Sequence, residues 1–179
     1  MKTERGFTLI ELLIVVAVIA IIAAIAIPGL MRAKQSGGEA SAIGSLRAIN
    51  GAQSSFASSC GAGYYSPSLT NLGSGPGGTP GVNGFVSPDL SSANSVMKSG
   101  YTVTMSSSQG VAATAPASCN GLAAGAVVQG YNATAVPNPG AGARSFATNT
   151  TGTIYQKVGM TIITVTDQAV TDAAATVIQ

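Results

Sequence analysis

Between Phe7 and Met31 the chain carries a single charge, Glu11, and from Leu12 to Ile27 every side chain is apolar. No other stretch restricts the possible folds as strongly. As a helix rising about 1.5 Å per residue, Phe7 to Leu30 is roughly 36 Å long, which exceeds the ~30 Å hydrocarbon core of a bilayer. The segment therefore reads as a membrane-crossing helix. Pro28 lacks the amide that would close its helical hydrogen bond, and Gly29 adds backbone freedom, so a kink or a melted stretch is expected there.

Two ordinary readings of such a segment fit poorly. A secretory signal peptide would explain Lys2 and Arg5 ahead of the apolar run, but the run is too long and leads into Ile27-Pro28-Gly29-Leu30-Met31-Arg32 instead of a small-residue cleavage site. A plain signal anchor explains the length but not Glu11. A carboxylate in a membrane helix costs on the order of 2 to 3 kcal/mol unless it reaches the interface or finds a partner, which makes it a functional residue by default. Flanking charge is balanced, Lys2 and Arg5 against Arg32 and Lys34, so the N-in orientation follows only from the exported character of the remainder.

The residues Arg5-Gly6-Phe7-Thr8-Leu9-Ile10-Glu11, followed by the apolar helix with Pro28, resemble the N-terminal signal of type IV prepilins and of the related type II secretion pseudopilins. The resemblance covers Lys2 to about Phe56. It implies a leader at 1–6, removed by a membrane prepilin peptidase that cuts between Gly6 and Phe7, and methylation of the new Phe7 amine by the same enzyme. It implies assembly partners as well: identical or related subunits in a helical filament, and an inner-membrane assembly platform. Glu11 of one subunit would then pair with the Phe7 amine of a staggered neighbour. Each group offsets the other's desolvation, and a misregistered helix would bury a charge unpaired, so Glu11 sets the stagger. At Pro28 the resemblance implies a helix able to unwind when the fibre stretches; a simple bend is the other reading.

After the membrane segment (7–30) the sequence reads as an amphipathic helix (31–59), ending at Ser58 or Ser59, with Leu30, Ile43, Leu46, Ile49, Gln53 and Phe56 as its buried stripe. Residues 60–100 are rich in Gly, Ser, Asn and Pro and read as a long surface loop, tacked down by Tyr64, Tyr65, Leu69, Leu72, Phe85 and Val86, with a turn at Pro88-Asp89. Residues 101–179 read as the sheet of a head domain. Strands are expected at Tyr101–Met105, Val127–Ala135, Arg144–Thr148 and Thr153–Val158, with a hairpin turn at Thr150-Thr151-Gly152 and a further short strand at Met160–Val165. The fold class is α+β: a long N-terminal α-helix, its first half transmembrane, packed on a small antiparallel sheet of three to five strands, as in pilins. Cys60 and Cys119 are the only cysteines. In an exported domain a disulfide between them is expected, closing a loop of about 60 residues for roughly 4 kcal/mol, with two free thiols as the alternative. This placement departs from the usual pilin disulfide around a C-terminal loop.

Composition matters mainly for what it removes. There is no His, and Asp and Glu together number 6, so the commonest general base and metal ligand are missing. No catalytic, cofactor-binding or metal residue is assigned, and an enzymatic role is not expected. Asp167 and Asp172 are too few to argue a calcium site. A net charge of +2 with scattered basic residues does not indicate nucleic acid. The expected function is a structural subunit of a type IV pilus, serving adhesion, twitching motility or DNA uptake. It would be held single-pass in the inner membrane before assembly and lie in an extracellular filament afterwards. A major-type pseudopilin of a type II secretion system is the alternative.

Overall fold

The computed structural model describes residues 6–78 and 83–178. The leader cations Lys2 and Arg5 lie outside the described residues. One helix, α1, runs from Leu9 to Ser59, 51 residues or roughly 77 Å at the helical rise. Its helical assignment is continuous through Pro28, with no melted stretch. Only the second half of α1 touches the head. There Ala42, Leu46, Ile49, Ala52, Gln53 and Phe56 are buried, three to four residues apart as one helical face requires. Leu30, expected in this stripe, is 70% exposed, because the head begins only beyond the membrane segment.

This face lies across a six-stranded antiparallel sheet whose spatial order follows the chain: β1 (Ser95–Lys98), β2 (Tyr101–Ser106), β3 (Asn132–Pro137), β4 (Arg144–Asn149), β5 (Ile154–Val158) and β6 (Thr176–Val177). The expected α+β layout is observed, with six strands where three to five were expected. Alternation along β2 buries Tyr101, Val103 and Met105 and leaves Thr102 and Thr104 half exposed on the other face. Opposite the helix, β3 presents Ala133 and Ala135, small enough for α1 to approach the sheet centre, while Phe146 of β4 fills the space beside Tyr101. Burying Leu46, Ile49 and Phe56 contributes about 1.5–3 kcal/mol each, which holds a helix whose own glycines weaken it. Gln53 is tolerated in this apolar stripe because its amide donates to the Ser66 carbonyl and its carbonyl accepts from the Ser66 amide, both at 2.9 Å.

Several expectations needed correction. The segment 60–100 holds structure: a helical turn α2 (Leu69–Leu72) capped by Ser68, a helical turn α3 (Pro88–Ser91) at the expected turn of Pro88-Asp89, and the edge strand β1. Leu69, Leu72, Val86 and Leu90 are buried beneath it, and Phe56 meets Phe85 edge-on at 5.4 Å. The strand expected from Val127 begins at Asn132, because Val128 instead pairs singly with Tyr65 and Val111. Met160–Val165 is not a strand. It forms an irregular strap over the outer face of the sheet, and for that reason β4 is buried on both faces. Ser145 donates to the Gly159 carbonyl and Asn149 to the Thr166 carbonyl along this strap, and Ile163 is buried.

Asp167 ends the strap and is itself buried. Its carboxylate accepts from the Ser108 and Gln109 amides, the Ser107 hydroxyl and the Asn132 side-chain amide at 2.7–3.1 Å, tying the strap to the β2–β3 connection. Burial pushes this carboxyl up, but the donors outweigh it and hold it below the usual aspartate value. A depressed native pKa means that the unfolded state binds more protons in acid, so the clasp stabilises at neutral pH and is lost as pH falls through the native value, below about 3.8. Asp167→Asn should destabilise the head by about 1–3 kcal/mol at pH 7, since an NH2 then faces N–H donors. It should also flatten the acid limb in thermal melts between pH 7 and 2.5; an unchanged acid limb would show that other carboxylates set it.

Candidate functional site

The residues singled out at the N-terminus lie together on one exposed rod. From Phe7 to Met31, Phe7, Leu9, Ile10 and the other large apolar side chains are each exposed by 50% or more. The most apolar window of α1 has a mean hydropathy of 3.2 and none of it is covered by the head. Such a surface is stable only in lipid or against other apolar helices.

Gly6 and Phe7 lie just ahead of the helix, both exposed. The helix starts on a capping box. The Glu11 amide donates to the Thr8 hydroxyl at 3.3 Å, while the Thr8 amide and hydroxyl donate to the Glu11 carboxylate at 2.9 and 2.7 Å. Thr8 is a residue that the sequence reading missed, although the Thr-x-x-Glu spacing signals it. The cap places Glu11 at the positive end of the helix dipole. Leu12 to Met31 then makes 20 residues, about 30 Å, a length that matches a bilayer core with Glu11 at one end and Arg32 at the other.

The remaining sites lie elsewhere. Pro28 is near the far end of the exposed segment, inside the continuous helix. Cys60 and Cys119 are joined at the opposite end of α1, Cα atoms 4.9 Å apart, connecting the helix C-cap to the β2–β3 connection. A link with no sequence signal joins helix and sheet near the membrane segment: Arg144 of β4 reaches Glu39 of α1 through Nε at 3.0 Å and Nη2 at 2.5 Å. The Ala143 amide donates to the other Glu39 oxygen at 3.2 Å. The Glu39 hydrogen bond raises the Arg144 pKa above its ordinary value.

Comparison with known proteins is consistent with these features. Residues 1–27 match the family model of the prokaryotic N-terminal methylation motif. A 53-residue stretch is 49% identical to the type IV major pilin protein PilA of Myxococcus xanthus, covering 30% of this chain and 24% of that protein. No solved structure matches the chain. The motif, the partial similarity and the helix-on-sheet architecture are together consistent with the type IV pilin and pseudopilin superfamily.

Proposed function

We propose that the chain is a structural, non-catalytic subunit of a type IV pilus filament, processed by a prepilin peptidase and methyltransferase and drawn from the inner membrane by an assembly platform. The observation that carries this reading is the bare apolar helix from Phe7 to Met31, which begins at a methylation motif and holds one carboxylate at its start. Before assembly, lipid covers this helix as a single N-in span; afterwards neighbouring helices do. Phe7 and Glu11 then act across subunits, the methylated amine of one helix meeting the carboxylate of another in a low-dielectric core where an unpaired charge is costly. The assembled filament would serve adhesion, motility or DNA uptake outside the cell.

Mass spectrometry of the mature chain should find Phe7 at the N-terminus with one added methyl group, and shearing should release the chain from cells as long filaments. A mature chain retaining Met1 would refute the processing. A processed chain confined to short periplasmic assemblies would instead identify a secretion pseudopilus.

A further inference from the structure

Every carboxylate of the head is engaged, Glu39 by Arg144, Asp89 by Lys98, Asp172 by Lys157 and Asp167 by its ring of donors. Among the described residues Arg32, Lys34 and Arg47, all exposed on α1, form no ion pair. Lys34 differs from the other two in its surroundings. It lines a cleft of about 370 Å³ with Ser99, Gly100, Pro139, Gly140 and Ala141, where the β1–β2 and β3–β4 turns meet the helix.

The cleft is built by glycines. At Gly38, one helical turn beyond Lys34, a side chain would meet the carbonyls of Ser99 and Ala141 at 3.1 Å, so a larger residue would push both turns back from the helix by a few tenths of an ångström. Gly100 and Gly140 have φ of +83° and +82°, and a side chain at Gly100 would run into the Ala141 methyl at 2.5 Å. The turn bonds use the Gly100 carbonyl and the Ala141 amide and do not use the amides of Gly100 or Gly140. Ser99 accepts from the Ser41 hydroxyl at 2.9 Å, so its own proton is free to be donated. Lys34, Ser99, Gly100 and Gly140 thus line one cleft that has no carboxylate among its lining residues.

Lys34 follows Met31, the last exposed apolar side chain of the span, by three residues, which places the cleft at headgroup depth. We infer that this cleft binds the phosphate of an anionic phospholipid headgroup, held by the Lys34 ammonium, the Ser99 hydroxyl and the amides of Gly100 and Gly140. The inference rests on the membrane-spanning reading of α1 but not on filament formation. One bound lipid fixes the height and rotation of the head on the bilayer, and it must be surrendered when the helix is withdrawn.

The test uses the full chain in nanodiscs of equal parts phosphatidylglycerol and phosphatidylcholine, with retained lipids counted by native mass spectrometry. Incorporation into the discs reports the span separately: a chain that does not incorporate refutes the membrane reading itself. An incorporated chain should retain one phosphatidylglycerol at least about tenfold over phosphatidylcholine. Lys34→Gln, and separately Ser99→Ala, should reduce this preference to near unity or by several-fold respectively. Arg32→Gln removes the same charge at the same depth but about 200° around the helix, and should leave the preference intact. Equal loss in Arg32→Gln and Lys34→Gln would mean diffuse surface charge and overturn the site. So would equal retention of the two lipids, or full displacement of the lipid by millimolar inorganic phosphate, which would identify a free-phosphate site.

Discussion

Glu11→Ala will leave the subunit at its normal level in the inner membrane and reduce sheared filament by about 100-fold or more. The two effects separate because the carboxylate has different surroundings in the two states. In the single subunit it accepts from Thr8 at the helix start and can lie at the interface, so its loss removes only the side-chain half of the capping box, about 0.3–1.5 kcal/mol, and makes the span slightly more apolar. In a filament it would be the partner of a buried amine. Removing it leaves that amine uncompensated, a defect of about 3 to 5 kcal/mol, or roughly two to nearly four powers of ten per addition step. Glu11→Gln divides cap from charge, because glutamine can complete the capping box but cannot pair with the amine. Filament loss in both variants supports the register role. Assembly by Glu11→Gln would assign the effect to helix capping, and loss of subunit from the membrane would assign it to insertion.

Replacing Cys60 and Cys119 by Ser is expected to have the largest effect on the head itself. Their sequence separation is 59, and a loop of that length restricts the unfolded chain by about 4 kcal/mol in the entropy model. At the link the backbone adds a 3.4 Å bond from the Cys119 amide to the Cys60 carbonyl and a 2.9 Å bond from the Gly77 amide to the Cys119 carbonyl. The β2–β3 connection is otherwise irregular, held by the Asp167 clasp at its start and by buried Ala112, Ala115, Val127, Val128 and Tyr131. A fall in Tm of about 10–20 °C is expected for a head of this size, measured by calorimetry of the full chain in detergent. Reductant should reproduce the fall in the wild type, since Cys119 is exposed, and leave the double variant unchanged. A wild-type Tm insensitive to reductant would show that the bond contributes nothing.

The parts of the structure legible in the sequence are those governed by local rules. The extent of α1 follows from an apolar run joined to a three-to-four-residue stripe, and β2, β4 and β5 follow from alternation and from the turn at Gly152, whose φ is +77°. The capping box is equally local, Thr8 and Glu11 standing at the Thr-x-x-Glu spacing. β1 escaped because its four residues contain one buried side chain, Val96, within a polar stretch. β6 escaped because both of its residues are exposed. Met160–Val165 reads as a strand by composition, but it crosses the outer face of the sheet without joining the ladder, burying Ile163 while Met160 and Ile162 stay exposed, and composition does not distinguish covering a sheet from extending it.

The sequence by itself determined that the first half of the helix must be covered by lipid or by other helices, since one charge among two dozen apolar side chains allows nothing else. It also determined which two cysteines were available to pair. Only the tertiary structure decided where the head's charges go. Glu39 and Arg144 are 105 residues apart, and Asp167 meets Ser108 across 59; such contacts depend on sheet register and loop path, which no local pattern encodes. The same holds for Lys34. In the sequence it is one of two cations after a membrane span, and it becomes distinct from Arg32 only when Gly38 lets two turns from distant strands close beside it.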